Sequence, residues 1–180
     1  MKALTQSELD CLLADVRDLK LRTGILLGFR HGLRVSEICG LRWQDVDLAG
    51  KAITCRRLKN SNTTVQPLNQ AECDALQSLW EARTGSEFVF QAARASAGGG
   101  HGRMPAITFW RHFKAACRAA GIQNRTPHSL KHGLGRALVA ANVSLPVIQR
   151  ALGHKSINST AVYTAIDDET AGKIVLDVLK

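Results

Sequence analysis

The spacing of apolar residues follows an α-helix through most of this chain and departs from it most clearly after Trp43. Two short stretches there, Ala52–Leu58 and Thr63–Leu68, have the composition of strands, and Lys59–Asn62 between them suits a hairpin loop. A single hairpin is only marginally stable, so it needs a third strand or a helix surface behind it. The sequence therefore predicts a mainly α fold with a small antiparallel β-sheet, an α+β class.

Helices are predicted on both sides of this hairpin. A capping box at Thr5–Glu8 starts the first one. The others are predicted at Leu21–Phe29, Val35–Leu41, Gln70–Ala82, Ala106–Ala120, Pro127–Ala141, Leu145–Leu152, Ser156–Tyr163 and from about Asp168 onwards. Between them we predict a turn at Asp45–Gly50, a short strand at Phe88–Phe90 and a glycine-rich surface loop at 92–102. A length of 180 residues without an internal repeat indicates a single domain over 1–180.

The charge of the chain points to a polyanionic partner. The formal net charge is +9 and the pI is about 9.8. Nucleic acid is the commonest partner for such a charge, although a basic surface without a specific partner has the same composition. The five cysteines do not stand at zinc-finger or redox-pair spacing, which indicates reduced packing residues and a cytoplasmic location. The longest apolar runs are too short for a membrane span.

Two cationic side chains at the ends of predicted elements are candidates for binding phosphate. Arg34 opens a predicted helix, where the helix dipole favours an anion, so a phosphate facing its guanidinium would account for the position. Glu37, one turn later, would hold Arg34 in place, and a simple surface pair of the two is the alternative. Lys59 at the hairpin tip would bind a phosphate or protonate a leaving oxygen, and a charged turn that discourages edge pairing is the alternative.

Three more candidates lie in the last third of the chain. Thr126-Pro127 predicts a helix start that puts His128 in the first turn, with Lys131 on the same face. His132, four residues after His128, suggests a metal site, but no acidic third ligand follows and we predict no metal. His154 follows a glycine that can end the preceding helix.

Tyr163 is the one tyrosine of the chain and is a candidate nucleophile, with a packing role as the alternative. A phenol has a pKa of about 10, so attack on phosphorus needs neighbouring cations that lower this pKa and stabilise charge on the phosphate oxygens. The candidates above supply cations and proton-transfer groups without a carboxylate cluster for magnesium. This set suits metal-free phosphoryl transfer through a covalent phosphotyrosine, with no cofactor.

With these residues in place, the chain closely resembles the catalytic domain of the tyrosine recombinases, or phage integrases. Gly32-Leu33-Arg34-Val35-Ser36-Glu37-Ile38, followed by Leu41-Arg42-Trp43-Gln44-Asp45-Val46-Asp47, is similar to the first arginine box of that family. Leu152-Gly153-His154 with Tyr163 nine residues later is similar to its last box, and Lys59 lies where its hairpin lysine is expected. The resemblance covers nearly the whole chain and implies the DNA breaking-rejoining fold of that family.

The resemblance also implies a role for each candidate. Arg34 and His154 would hold the scissile phosphate, and Lys59 would protonate the leaving 5′ oxygen. His128 would assist proton transfer at Tyr163, which would form a 3′-phosphotyrosine. A 5′ hydroxyl from the partner strand would then attack, so no energy cofactor is needed. Double-stranded DNA would be contacted by the further basic side chains Arg42, Arg56, Arg57 and Lys155.

The chain departs from the family pattern in two respects. The second box of the family usually has His-x-x-Arg, whereas here Lys131 stands at the arginine position, keeps the charge and loses the bidentate fork, so we expect reduced or altered chemistry. The N-terminal core-binding domain of the family is absent, which predicts either a short form or an excised catalytic domain with weaker DNA binding. The tail at 165–180 either packs on its own domain or is exchanged between the protomers of a tetramer.

Three functions are open at this point. The leading one is a site-specific DNA recombinase of the integrase type. The second is a catalytically weakened or inactive DNA-binding relative, which Lys131 favours. The third is nicking and resealing like that of type IB topoisomerases. A Tyr163-dependent covalent adduct on nicked DNA would exclude the second, and joined recombinant products would separate the first from the third.

Overall fold

A computed structural model describes residues 2–58, 61–94 and 101–163. The predicted hairpin lysine, Lys59, and the predicted tail helix at 165–180 lie outside the described residues. Within the described part, eight helices surround one small sheet, and none of these helices is long and apolar enough to cross a membrane. The prediction of a mainly α fold with a small antiparallel sheet is confirmed.

The helices follow the predicted apolar spacing closely. Their bounds are α1 Gln6–Asp15, α2 Leu19–Arg30, α3 Val35–Cys39, α4 Gln70–Glu81, α5 Ala106–Ala119, α6 His128–Ala140, α7 Leu145–Leu152 and α8 Asn158–Ala161. The predicted capping box at Thr5 is present, because its hydroxyl accepts from the Glu8 amide while the Glu8 carboxylate accepts from the Thr5 amide. Asp18 and Asn69 cap α2 and α4 in the same way, each through its side-chain oxygen.

The sheet has three antiparallel strands in the order β1 (Val46–Asp47), β2 (Ala52–Cys55) and β3 (Thr64–Pro67). Val46 pairs with Ile53, and Ala52 pairs with Pro67. The prediction of a turn over all of Asp45–Gly50 is therefore wrong at its second and third residues, which supply the third strand that the hairpin needs. A strand of two residues is too short to show an alternating pattern in the sequence.

The predicted strand at Phe88–Phe90 is also wrong. Phe88 forms an isolated bridge with Arg42, and the Val89 amide donates to the carbonyl of Leu41 at 2.9 Å. Val89 and Phe90 are buried, so the apolar run reflects packing of this segment onto the core. The segment crosses the end of α3 and makes no continuous strand ladder.

The core has two parts, and α6 contributes to both. The larger part surrounds α2, which packs against α1, α4, α5 and α6 and buries Ile25 and Leu27 completely. Leu130 of α6 belongs to this part. The smaller part consists of Ile148, Leu152 and Tyr163, with Leu134, Leu138, Val139 and Val143 packed around them. Because α6 spans both parts, it fixes the position of α7 and Tyr163 relative to the rest of the domain.

Candidate active site

Arg34 lies between α2 and α3, and a buried carboxylate holds its guanidinium. Nη1 of Arg34 donates to Oε1 of Glu37 at 2.9 Å and to Oγ of Ser61 at 3.2 Å. The backbone amide of Arg34 donates to Oε2 of Glu37 at 2.9 Å. The Arg34 side chain is still 31% exposed while that of Glu37 is fully buried, so part of the guanidinium is open to an incoming anion.

Glu37 collects hydrogen bonds from three directions. Besides Arg34, the guanidinium of Arg57 donates to Oε2 at 3.1 Å and the amide of Leu58 donates to Oε1 at 3.2 Å. Burial by itself would raise the pKa of this carboxyl, but the Arg34 amide, the charge of Arg57 and the Leu58 amide together keep the pKa below its ordinary value. Glu37 is therefore a carboxylate that fixes Arg34 and the residue after β2 in one arrangement.

Arg57 does not lie on the surface. Its side chain is fully buried, and its Nη atoms donate to Glu37 and to the carbonyls of Gly32, His31 and Ala151. The expectation that Arg57 contacts DNA is corrected here, because a guanidinium enclosed by four protein acceptors is not available to a phosphate. Its charge instead acts from beneath the site, between α2, α3 and the end of α7.

Lys131 is buried next to these arginines. Its Nζ donates to the carbonyl of Leu152 at 2.7 Å, and the residue is 5% exposed. Burial, together with the nearby charges of Arg57 and Arg34, lowers the pKa of Lys131 to about 7, and the carboxylate of Glu37 offsets this only in part. The ammonium thus lies at the centre of the predicted residues, but its charge depends on pH in the physiological range.

His154 follows α7 and packs beside Tyr163. Gly153 makes the sharp turn between α7 and this histidine with φ at 66°, in the left-handed region that favours glycine. Nδ1 of His154 lies 3.0 Å from the buried Thr160 hydroxyl. Burial and the charges of Lys131 and Arg34 lower the pKa of His154 to about 4, so the ring is neutral at neutral pH. With the hydroxyl donating to Nδ1, Nε2 carries the proton and is free to donate.

The chain that returns from the hairpin tip is anchored at this corner. The amide of Asn62 donates to the carbonyl of Gly153 at 2.8 Å, and Ser61 forms a bridge with His154. Ser61 also accepts from Arg34. The descending side of the hairpin loop is therefore fixed against both the first and the last box.

Tyr163 is the last of the described residues, and its ring packs against α6. Its hydroxyl lies 2.9 Å from Nδ1 of His132, and its ring is parallel to that of His154 with the centroids 6.5 Å apart. A Cβ at Gly135 would lie 2.8 Å from two atoms of the tyrosine ring, so the glycine makes room for it. Burial raises the pKa of Tyr163, and the charges of Arg136 and Arg34 offset this only in part. The neighbouring cations therefore do not lower this pKa below its ordinary value, contrary to expectation.

His128 lies apart from this hydrogen bond. It is exposed at the first turn of α6, whereas the Tyr163 hydroxyl lies within hydrogen-bond distance of His132. The sequence suggests only a metal-ligand role for His132, and the described residues contain no group of three or more His, Cys, Asp or Glu that could hold a metal ion. Sequence reasoning therefore missed His132, together with Gly135, Thr160 and Ser61, because each acts through a tertiary contact.

The other predicted DNA-contacting residues lie on the surface. Arg42 pairs with Glu87 at 2.8 Å and is 43% exposed at its side chain. Arg56 pairs with the buried Asp45 at 2.5 Å and is 63% exposed. Lys155 is exposed directly after His154. These three basic side chains are accessible, in contrast to Arg57.

Comparison with known proteins identifies relatives of this chain. Residues 2–170 match the model of the phage integrase family. The type 1 fimbriae regulatory protein FimE of Escherichia coli (strain K12) is 35% identical over 148 residues, which are 78% of this chain and 72% of FimE. The tyrosine recombinase XerA of Pyrococcus furiosus is 30% identical over 168 residues, 92% of this chain and 57% of XerA.

The fold is shared with a solved structure as well. The Tn1549 transposon integrase, in complex with a circular intermediate DNA, superposes with a TM-score of 0.78 at 20% identity, covering 97% of this chain and 65% of that one. At this identity the likeness concerns the fold, whereas the family rests on the match over 2–170 and on the two relatives. The chain therefore belongs to the phage integrase family, the tyrosine recombinases.

Proposed function

We propose that this protein is a site-specific DNA recombinase that cuts and rejoins DNA through a covalent 3′-phosphotyrosine on Tyr163. The observation that supports this most is the convergence of Tyr163, His154 and Arg34. The ring of Tyr163 is parallel to the ring of His154, and Ser61 contacts both Arg34 and His154. The charge of Arg34 lowers the pKa of both His154 and Tyr163 relative to burial alone. A phosphate that meets the open edge of Arg34 would lie beside the nucleophile.

In the proposed reaction, Arg34 and Nε2 of His154 donate hydrogen bonds to the non-bridging oxygens of the scissile phosphate. Lys131 adds a second positive charge next to that of Arg34 when it is protonated. Oη of Tyr163 attacks phosphorus as the bond to the 5′ oxygen breaks, and Lys59 protonates that oxygen. The 5′ hydroxyl of a partner strand then attacks the phosphotyrosine and releases Tyr163, so the phosphodiester is conserved without an external energy source.

Double-stranded DNA is the proposed partner. The exposed Arg42, Arg56 and Lys155 surround the site, the net charge is +9, and the solved relative from Tn1549 is a complex with DNA. Exchange of strands at two sites requires more than one tyrosine, so we propose that the protein works as a homo-oligomer on DNA. Because the chain spans 57% of XerA, these whole-protein properties rest on the proposal alone.

A second candidate is a relative that binds DNA without efficient cleavage. Lys131 favours it, because burial lowers its pKa to about 7 and because an ammonium cannot make the bidentate contact of an arginine. In that case the exposed basic side chains would still bind DNA, and Tyr163 would react slowly or not at all.

A pool of nicked duplexes with randomised cores tests both candidates. A nick beside the cleavage position lets the short 5′ fragment leave, so the covalent adduct accumulates and can be isolated in detergent and sequenced. We expect an adduct with the wild type and none with Tyr163→Phe, which keeps the ring and removes the nucleophile. Binding of the pool without an adduct would overturn the recombinase proposal and favour the second candidate.

Ligation products then separate strand exchange from simple resealing. Adduct-forming duplexes are incubated with a second duplex that carries a free 5′ hydroxyl and a distinguishing label. Joined recombinant strands support a recombinase. Resealing within the original duplex alone would instead support nicking and rejoining without exchange.

A further inference from the structure

We propose that His132 receives the phenol proton of Tyr163 during attack on DNA, and that it returns this proton when the strand is resealed. The inference rests on the proposed function above, and it assigns a proton acceptor that no motif of the sequence indicated. His132 directly follows the second box and is neither its histidine, His128, nor its cation, Lys131.

The geometry supports a built contact rather than a chance one. Oη of Tyr163 lies 2.9 Å from Nδ1 of His132, with the two ring planes inclined at 58° and their centroids 5.6 Å apart. Gly135, three residues later and on the same face of α6, leaves the space that the tyrosine ring fills. One turn of α6 therefore provides both the space for the tyrosine ring and the acceptor for its hydroxyl.

The surroundings of His132 favour its neutral form. Burial lowers the pKa of His132, and the charges of His128, the amino terminus, Lys131 and Arg136 act in the same direction. The groups that face it from the following segment are Tyr163 and the neutral His154. A neutral imidazole has one ring nitrogen without a proton, and a phenol that donates to Nδ1 requires that nitrogen to be Nδ1.

The other two histidines are less suited to this step. His128 is exposed one turn before His132, at the start of α6. Nδ1 of His154 lies 3.0 Å from the hydroxyl of Thr160, whereas Nδ1 of His132 lies 2.9 Å from Oη of Tyr163. This leaves His154 to serve the phosphate and His132 to serve the nucleophile.

The proposed step conserves atoms and charge. The bond between Oη and phosphorus forms while the bond between phosphorus and the 5′ oxygen breaks. The proton of Oη moves to Nδ1 of His132, which becomes an imidazolium, and the leaving oxygen takes a different proton from Lys59. On resealing, the incoming 5′ hydroxyl loses its proton to the lysine, and His132 returns its own proton to Oη.

Two substitutions separate proton transfer from simple positioning. In His132→Asn, the side-chain amide oxygen can replace Nδ1 as a hydrogen-bond acceptor but has no useful affinity for a proton. We expect the single-turnover rate of adduct formation to fall about 100-fold, the usual scale of general base catalysis. The acid side of the pH–rate profile, where His132 becomes protonated, should disappear. His128→Asn should keep that acid side.

A substrate with sulfur in place of the 5′ bridging oxygen identifies which proton transfer is lost. A thiolate leaves without protonation, so this substrate should restore the rate of Lys59→Ala and should not restore the rate of His132→Asn. Rescue of His132→Asn by the sulfur substrate would overturn the assignment. A wild-type rate and pH profile in His132→Asn would overturn it as well.

A measurement without DNA completes the test. Nitrogen NMR of the whole chain labelled at histidine should show Nδ1 of His132 unprotonated at neutral pH, with a resonance that moves in Tyr163→Phe. A protonated Nδ1 would overturn the proposal whatever the kinetics. If the wild type forms no Tyr163-dependent adduct, the proposed function fails and this inference fails with it, whereas an active wild type with a fully active His132→Asn removes this inference alone.

Discussion

The ammonium of Lys131 donates a hydrogen bond to the carbonyl of Leu152 at 2.7 Å, immediately before the Gly153-His154 pair. The side chain that stands at the family's arginine position therefore also closes the end of α7. An arginine could satisfy this carbonyl with one nitrogen and still present another to the phosphate. A lysine must divide one ammonium between the two tasks, and it must remain protonated to do so.

Lys131→Arg should change the pH dependence of cleavage. Since the pKa of Lys131 is lowered to about 7, the wild type loses this charge as pH rises through that value, and its rate should decline on the alkaline side. Arginine stays protonated, so the variant should keep its rate to about pH 9 and should exceed the wild type there. The measurement is the rate of single-turnover adduct formation at subsaturating DNA, whose pH dependence reports the pKa values of the free enzyme.

Lys131→Met provides the matched control for this prediction. It keeps a long buried side chain without a charge, so its rate should be low and should lack the alkaline decline. Between about pH 7 and about pH 10, Lys131 holds a proton in the unfolded chain but not in the folded one, so the stability of the wild type rises with pH in that range. Lys131→Met should remove this rise. Superimposable profiles for wild type and Lys131→Arg would contradict the assigned role.

Glu37→Gln should destabilise the domain and loosen Arg34. The buried carboxylate faces the guanidinium groups of Arg34 and Arg57, and loss of its charge leaves the fully buried Arg57 without its counterion. We expect the free energy of unfolding to fall by about 3 kcal/mol, as measured by urea denaturation.

The pH dependence of stability checks the same carboxylate. Because the folded pKa of Glu37 is lowered, its contribution to the free energy of unfolding is complete above the unfolded pKa of about 4.3. This contribution is lost as pH falls through the lower folded pKa. Glu37→Gln should show less of this acid loss than the wild type. Equal acid sensitivity in the two proteins would mean that other carboxyls account for it.

Gly135→Ala should impair Tyr163 while sparing the fold. The added methyl group would lie 2.8 Å from the tyrosine ring, which must move, whereas alanine is a better helix former than glycine at this interior position of α6. We expect adduct formation to fall about 100-fold, the scale of a displacement near 1 Å at a reacting group. DNA binding should stay within a factor of two by fluorescence anisotropy. Gly102→Ala, where a Cβ meets nothing within 4 Å, is the control and should behave as wild type.

Lys155→Ala should weaken DNA binding in a salt-dependent way. The side chain is exposed beside His154, so its contact would be with a backbone phosphate. Loss of one such contact should reduce the slope of the logarithm of affinity against the logarithm of salt concentration by about 0.9. Lys51→Asn removes the same charge at the turn between β1 and β2, at the opposite end of the sheet from the hairpin loop, and should leave the slope unchanged. Equal slopes for Lys155→Ala and the wild type would exclude a phosphate contact.

The helices could be predicted because their stabilising contacts repeat along the chain. Apolar spacing located α2, α4 and α6 within a few residues, and the side-chain oxygens at Thr5 and Asn69 fixed where two helices begin. The short strand β1 left no such repeat, since two residues pair with β2 through backbone groups alone. Its existence depends on a neighbour rather than on its own composition.

The site was predictable where chemistry requires a particular side chain and unpredictable where packing decides. Arg56 and Arg57 are adjacent and identical in type, yet Arg57 is buried. A period of two from the buried Ile53 and Cys55 does continue to Arg57, so the alternation of β2 carried a signal that charge alone obscured. The contact between His132 and Tyr163 has no equivalent signal, because 31 residues separate the two partners.

The hydrogen bond from Asn62 to Gly153 has a consequence for how this loop can vary. It ties the return of the hairpin to the turn before His154, while Ser61 holds Arg34. An insertion after Ser61 would pull the serine from the arginine or strain the left-handed glycine, so we expect the loop length there to be constrained by the contacts of Arg34 and His154. We expect length changes to be accepted ahead of Ser61 instead, where they would alter the reach of the proposed Lys59 while Arg34 and His154 keep their positions.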